Sequence, residues 1–180
     1  VNTLTERLIS FADRLDTTNQ LAYLDPTTQL PNSIAAEKEL EDALQHAQET
    51  NGKFTVLFID GDNLRLYNDI SYSAGDEMIR NLGKTLAQHL RPGDFLARWR
   101  VGDEFFVILP NASSEKAMIV AERLRSAVEK ESKNWQIPVS VSIGIADYPV
   151  KGTTSHELLY AAEQAEKQAK DSGKNQSVYL

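Results

Sequence analysis

The sequence predicts an α+β fold: a ferredoxin-like βαββαβ core with extra helices and an N-terminal helix in front of it. Three observations lead there. "FTVLFID" (54–60) is a short, nearly continuous apolar run, as a buried central strand requires. "FLARWR" and "FFVILP" flank a turn at "VGDE" (101–104), which reads as a β-hairpin. From residue 54 onward the order is β-α-β-β-α-β, the split βαβ arrangement, with antiparallel neighbours and helices on one face.

The elements follow in order. Leu4, Leu8, Phe11 and Leu15 recur at helical spacing, so residues 1–24 are expected to form a helix. It either packs on its own domain or serves as a coiled-coil linker from an upstream module. "DPTTQLPN" (25–32) is a turn-rich break. A helix follows to about Ala47, with Leu40, Leu44 and Ala47 on one face. After the strand at 54–60 comes a polar loop, 61–76. Met78, Ile79, Leu82, Leu86 and Leu90 then mark a helix, with Ser73-x-x-Asp76 suited to its start. "RPGD" (91–94) stops it. Ala117, Val120, Leu124 and Val128 define a helix over 114–131. Residues 137–148 alternate as a strand, Val139, Val141 and Ile143 against Ser140 and Ser142. Thr154-x-x-Glu157 opens a last helix that runs to Gly173. The domain proper is expected over 25–180.

Composition narrows the function. The 180 residues suffice for one domain with a real core. The net charge of -7 argues against a polymeric nucleic-acid partner, which selects a basic face. There is no cysteine, so disulfides, thiolate nucleophiles and cysteine zinc sites are excluded. No apolar run approaches the ~18 residues of a membrane span, so no membrane contact is expected of this segment. A start at Val1 suits a piece of a longer protein.

The chemistry gathers at strand ends. Asp60 and Asp62 stand at the end of the first strand, and Asp103 and Glu104 at the hairpin turn. If these strands are neighbours, the four carboxylates converge and repel unless a cation lies between them. An oxygen-only donor set suits Mg²⁺ or Mn²⁺, and Mg²⁺ binding through few carboxylates plus phosphates points to a nucleoside triphosphate. In the loop, Asn63, Arg65, Asn68, Asp69 and Asp76 suit two readings: recognition of guanine, or capping of turns and of the next helix. Lys170 and Lys174, four apart at a helix end, suit a triphosphate or a solvated helix terminus.

Taken together, the motifs resemble the GGDEF domain of diguanylate cyclases, from about residue 25 to 175. "DPTTQLPN" resembles the family's entry motif, and "LFIDGDNLRLYND" its D-x-D-x-F-K-x-x-N-D stretch. "AGDEMI", "VGDEF" and "VSIGIA" follow in the family's order, and "AEQAEKQAKDSGKN" is similar to its closing segment. The resemblance implies the nucleotidyl-cyclase, palm-like version of the βαββαβ core. It implies condensation of two GTP into cyclic di-GMP with release of pyrophosphate, by two domains facing each other as a homodimer. It implies Asp60 and Asp103 as metal ligands with the Gly61 carbonyl, Asp103 also as proton acceptor, and Glu104 as support of the metal site. Asn68 and Asp76 would read guanine. Arg65, Lys170 and Lys174 would hold phosphates, and Arg91 and Asp94 would form a product-inhibition site. An upstream sensor and a cytoplasmic location, within a soluble or membrane-bound whole, are implied too.

Several positions depart from the family pattern. The signature is one residue longer, with Val101 where a Gly is usual and Gly102 retained; a bulge in the longer hairpin is one way to absorb the lost Gly. The chain between Asn68 and Asp76 is one residue shorter than usual. Leu64 replaces Phe, Gln29 replaces Gly, and Ser33 replaces Arg. All the acidic candidates remain, so an active or weakly active cyclase is favoured. The alternatives are a degenerate module that binds GTP or cyclic di-GMP, and a purely structural interaction domain.

Overall fold

The structure, a computed structural model, describes residues 21–100 and 102–180. The stripe expected over 1–24 thus falls outside the described residues, its last few excepted, as does Val101. The elements are α1 (Ser33–Thr50), β1 (Phe54–Gly61), α2 (Leu64–Asn68), α3 (Tyr72–Gln88), β2 (Phe95–Arg98) and β3 (Glu104–Pro110). They continue with α4 (Ser114–Glu131), β4 (Val141–Tyr148), α5 (Ser155–Asp171) and β5 (Ser177–Tyr179).

The sheet order is β2-β3-β1-β4-β5. β1 lies between β3 and β4, antiparallel to both, which is the split βαβ arrangement. Every residue of β1 is buried, as its unbroken apolar run requires. Leu57 and Ile59 face a cluster with Met78, Leu82 and Leu86 of α3 and Ala117, Ala121 and Leu124 of α4. Val56 and Phe58 face the opposite cluster, with Leu40 and Leu44 of α1 and Leu158 and Ala162 of α5. Helices therefore cover both faces, not the single face expected from the split βαβ units alone. A strand apolar on both sides needs a lid on each.

Local chemistry decides the ends. α1 is capped by Asn32, whose side chain accepts from the Ala35 N–H. α5 has the expected capping box between Thr154 and Glu157. α3 starts at Tyr72, capped by Ser71 rather than by Ser73, because the Ser71 hydroxyl takes the Ala74 N–H. The polar loop 61–76 also contains a short helix, α2. Residues 137–140 stay out of the sheet because side chains claim their backbone: Ile137 N–H donates to the Tyr67 hydroxyl, and Val139 N–H to Ser132 Oγ. β5 runs parallel beside β4; three residues are too short to show a period.

In the hairpin, the register runs unbroken from Phe95↔Ile108 to Arg98↔Phe105, and Trp99 N–H donates to the Glu104 carbonyl. The pairing is thus continuous on both sides of the turn, with no bulge among the described residues of β2 and β3. No helix among the described residues is long and apolar enough to cross a membrane.

Helix α5 lies hard against β4 at one point. A Cβ at Gly144 would fall onto the Ala162 carbonyl and the Glu166 amide, both backbone atoms. Gly144→Val should destabilise the protein by about 1–3 kcal/mol, since α5 must back away from the sheet. A lower urea midpoint with an unchanged denaturant slope is the expected readout.

Candidate active site

The antiparallel register sets Asp60, at the end of β1, opposite Glu104, at the start of β3. Asp103, just before β3, folds against the end of β1. Its carbonyl accepts from the Gly61 N–H at 3.2 Å. A Cβ at Gly61 would lie 2.5 Å from Asp103 Oδ2, so only glycine admits the carboxylate there. Asp60 and Asp103 are buried and Glu104 is half-buried. Asp103 Oδ2 and Glu104 Oε2 are shut off from solvent with no hydrogen-bond partner.

Helix α5 brings the counter-charge. Lys170 Nζ lies 2.7 Å from Asp60 Oδ2 and 3.1 Å from Glu166 Oε1. Burial raises the pKa of Asp60, against the pull of Lys170. Burial, then the charge of Asp60, pushes Asp103 up to about 7. Glu104 is raised by burial and by Asp60, and Glu166 by burial. Burial alone would lower Lys170, but its hydrogen bond to Asp60 and the two carboxylate charges hold the ammonium well above its usual range. Glu166 is a member of this group that sequence reasoning missed. Its signal was the i,i+4 spacing to Lys170 on one helix face.

The donor set fits a hard divalent cation. Carboxylate oxygens without partners adjoin a third carboxylate, and neither histidine nor sulfur intervenes. Among the described residues no three acidic or histidine side chains form a ready-made cage. That matches the habit of Mg²⁺, which takes one or two carboxylates and completes its shell with water and phosphate oxygens.

Asp62 is near enough for its charge to add to the burial that raises Asp60, but its carboxylate is engaged by donors of its own, contrary to the four-carboxylate expectation. It is buried and accepts hydrogen bonds from the hydroxyls of Ser140 and Ser142 and from the Asn175 N–H at 3.2 Å. Lys174 is turned to the same place, its Nζ donating to the Asp62 carbonyl at 3.3 Å. Asp62 thereby satisfies its charge within the protein, as Asp103 does not.

The signature turn is braced from behind. Gly102 takes φ +110°, and its carbonyl accepts from Arg98 Nε at 3.0 Å and Nη2 at 2.8 Å. Arg98 Nη1 reaches Asp25 Oδ1 at 2.9 Å, tying the entry segment to the hairpin. Neither partner was a candidate from sequence, because the pair is 73 residues apart.

The remaining candidates lie outside this group of carboxylates. The Asn68 carboxamide occupies the space a side chain at Gly75 would need, which sets it beside the residue preceding Asp76. Asp76 is exposed and lines a cavity of about 500 Å³ with Asp25, Asn32, Arg98 and Arg100. Neither Asn68 nor Asp76 caps a helix: Asp69 ends α2 and Ser71 begins α3. Arg65 is exposed on α2, with no ion pair among the described residues. Arg91 and Asp94 pair with each other at 3.0 Å, and Arg91 Nη2 also donates to the Pro110 carbonyl. They line a separate cavity of about 600 Å³ with Lys116 and Arg123. That cavity adjoins the far end of β3, about 20 Å from the acids at strand spacing.

Comparison with known proteins identifies the family. The family described as "Diguanylate cyclase, GGDEF domain" matches residues 22–176. The chain is 35% identical over 159 residues to the bifunctional diguanylate cyclase/cyclic di-GMP phosphodiesterase MucR of Pseudomonas aeruginosa, covering 87% of this chain and 23% of that protein. It is 35% identical over 173 residues to the diguanylate cyclase TpbB of the same species, covering 91% of this chain and 40% of that protein. The chain thus spans less than half the length of these curated relatives. The solved GGDEF domain of TpbB superposes with a TM-score of 0.78 at 34% identity, over 85% of this chain and 98% of that one. The coiled coil and GGDEF domain of DgcB from Caulobacter crescentus, solved with c-di-GMP, gives a TM-score of 0.88 over 98% of this chain and 95% of that one. At 23% identity that likeness speaks for the fold alone. With residues 22–176 matched and cyclases at 35% identity, the chain belongs to the GGDEF-domain family of diguanylate cyclases.

Proposed function

We propose that this chain is an active diguanylate cyclase domain, spanning about residues 25–180, that condenses two GTP into cyclic di-GMP and pyrophosphate. The observation that carries the reading is the packing of Asp103 and Glu104 against Asp60, with buried carboxylate oxygens that no protein donor satisfies. Asp60, Asp103 and the Gly61 carbonyl hold Mg²⁺ or Mn²⁺, and Glu104 supports them. Once bound, the cation neutralises triphosphate charge and lowers the pKa of the attacking hydroxyl.

The chain's own residues do the rest. Asn68 and Asp76 take the guanine edge, the carboxylate accepting from ring N–H groups and the amide bonding the remaining polar atoms. Lys170, Lys174 and Arg65 hold phosphate oxygens, which means that Lys170 exchanges part of its contact with Asp60 for the nucleotide. Asp103 Oδ2, a buried carboxylate oxygen with no protein donor, accepts the proton of the 3′-hydroxyl. The 3′-oxygen then bonds to the α-phosphorus of the second GTP, and pyrophosphate leaves. Each protomer carries one GTP, so two protomers must face each other, and a segment upstream of residue 25 that holds them together raises their effective concentration. GTP and cyclic di-GMP are cytoplasmic metabolites of this chemistry, so the domain works in the cytoplasm, attached to a sensor or signalling module.

A second reading adds to the first. The paired Arg91 and Asp94 beside a cationic cavity support binding of cyclic di-GMP there, as a regulatory site in an active domain or as the remaining function of an inactive one. Cyclic di-GMP is bound in a related GGDEF domain at 31% identity, whose described interaction mode is a novel one.

Three outcomes test these assignments. Product formation from GTP, identified by mass, should rise more than linearly with protein concentration, and Asp103→Asn should lower it by more than about 100-fold. Second, because folding raises Asp103 from 3.8 to about 7, its ionisation opposes the folded state, and metal-free stability attributable to it is lost as pH rises through that window. Thermal melts should therefore show a smaller loss between pH 4 and about 7 in Asp103→Asn, and Mg²⁺ should stabilise the parent more than the variant. Third, Arg91→Ala should weaken calorimetric binding of cyclic di-GMP by at least about tenfold while leaving GTP binding unchanged.

A further inference from the structure

We propose that Asp62 is a positioning residue whose task is to hold Lys174 at the triphosphate, and that it takes no part in binding the cation. The inference deepens the cyclase reading and rests on it. Its starting point is the loop after α5. Gly173, Lys174 and Asn175 follow one another with φ of +113°, +63° and +49°. Two consecutive side-chain-bearing residues in the left-handed region are costly, and such a conformation persists only where its surroundings over-determine it.

Those surroundings converge on Asp62. Its Oδ2 accepts from the Asn175 N–H, and its carbonyl accepts from Lys174 Nζ. Its other oxygen accepts from Ser142 Oγ at 2.7 Å, anchoring it to β4. Its own N–H donates to the Ser140 carbonyl at 3.0 Å. The Lys174 N–H is taken by the Ala169 carbonyl at 2.9 Å. The Asn175 side chain bridges to α4, accepting from Arg125 Nη1 at 2.9 Å and donating to Glu129 Oε1 at 3.3 Å. Asp62 stands two residues after Asp60, so the same bonds that bend the closing loop also fix its distance from the strand end that carries the metal candidates. A carboxylate that already accepts three hydrogen bonds from the protein has little left for a cation. Its burial is compensated by three donors, which Asp60, Asp103 and Glu104 lack.

A role confined to stability and one that places Lys174 differ in what they predict. Thr55→Ala removes a buried hydrogen bond to the Ala112 carbonyl near the far end of β1, away from Asp62 and the closing loop, and serves as the structural comparison. Asp62→Ala and Lys174→Ala are measured alone and together, by calorimetry of GTP and of GMP with the divalent cation present, and by thermal melting. Expected: Asp62→Ala and Lys174→Ala each weaken GTP about tenfold, and the double variant is no worse than either one, as for two members of one unit. GMP binding stays unchanged in all of them, which also shows that the folds are intact. Thr55→Ala lowers the melting temperature and leaves GTP affinity alone. Additive losses in the double variant, an Asp62→Ala protein that binds GTP like the parent, or equal losses for GMP and GTP would overturn the assignment while leaving the cyclase reading standing. A parent protein that binds no GTP would overturn both.

Discussion

Like charges taken out of water repel, and the arrangement of this domain follows from containing that repulsion at the joined ends of β1 and β3. The antiparallel register that pairs Asp60 with Glu104 makes the crowding unavoidable. Gly61 tightens it by letting Asp103 press against the strand. Part of the answer is the Lys170 ammonium, delivered by a helix that can reach only because Gly144 lets α5 settle onto β4. The rest is not met within the described residues: buried oxygens of Asp103 and Glu104 are left without partners, an electrostatic demand the fold itself does not satisfy.

Two acids separated by one residue therefore serve different ends. Asp60 is paired with one ammonium, that of Lys170, whereas Asp62 accepts from three uncharged donors. A pattern such as D-x-D does not show this division, since both residues are carboxylates after the same strand. The difference comes from β4 and the closing loop, which supply hydroxyls and an amide to one side only.

The core strands and the main helices were legible because their signals are local. β1 is a continuous apolar run, α3 and α4 carry a helical period, and the capping box of α5 is spelled by Thr154 and Glu157. The acids at the strand ends were legible once strand order was, because register converts sequence position into proximity. What escaped was non-local or decided by competition. Arg98 and Asp25 meet across 73 residues. Ser71 outcompeted Ser73 for the start of α3, and side chains of Tyr67 and Ser132 captured backbone that alternation had given to β4. The bulge expected at the signature is absent from the described pairing of β2 and β3, whose register is continuous.

The span of these contacts has a consequence for how the domain comes into being. Asp60 meets its cation in Lys170, and Asp62 meets its donor in Asn175, 113 residues downstream. A ribosome that has delivered the whole hairpin has still delivered none of the groups that reconcile those carboxylates. Vectorial synthesis thus places the electrostatically costly strand ends in the nascent chain long before their counter-charge emerges. Closure of the sheet around β4 and docking of α5 become late events, and the loop-closure entropy they must overcome is that of nearly the whole domain.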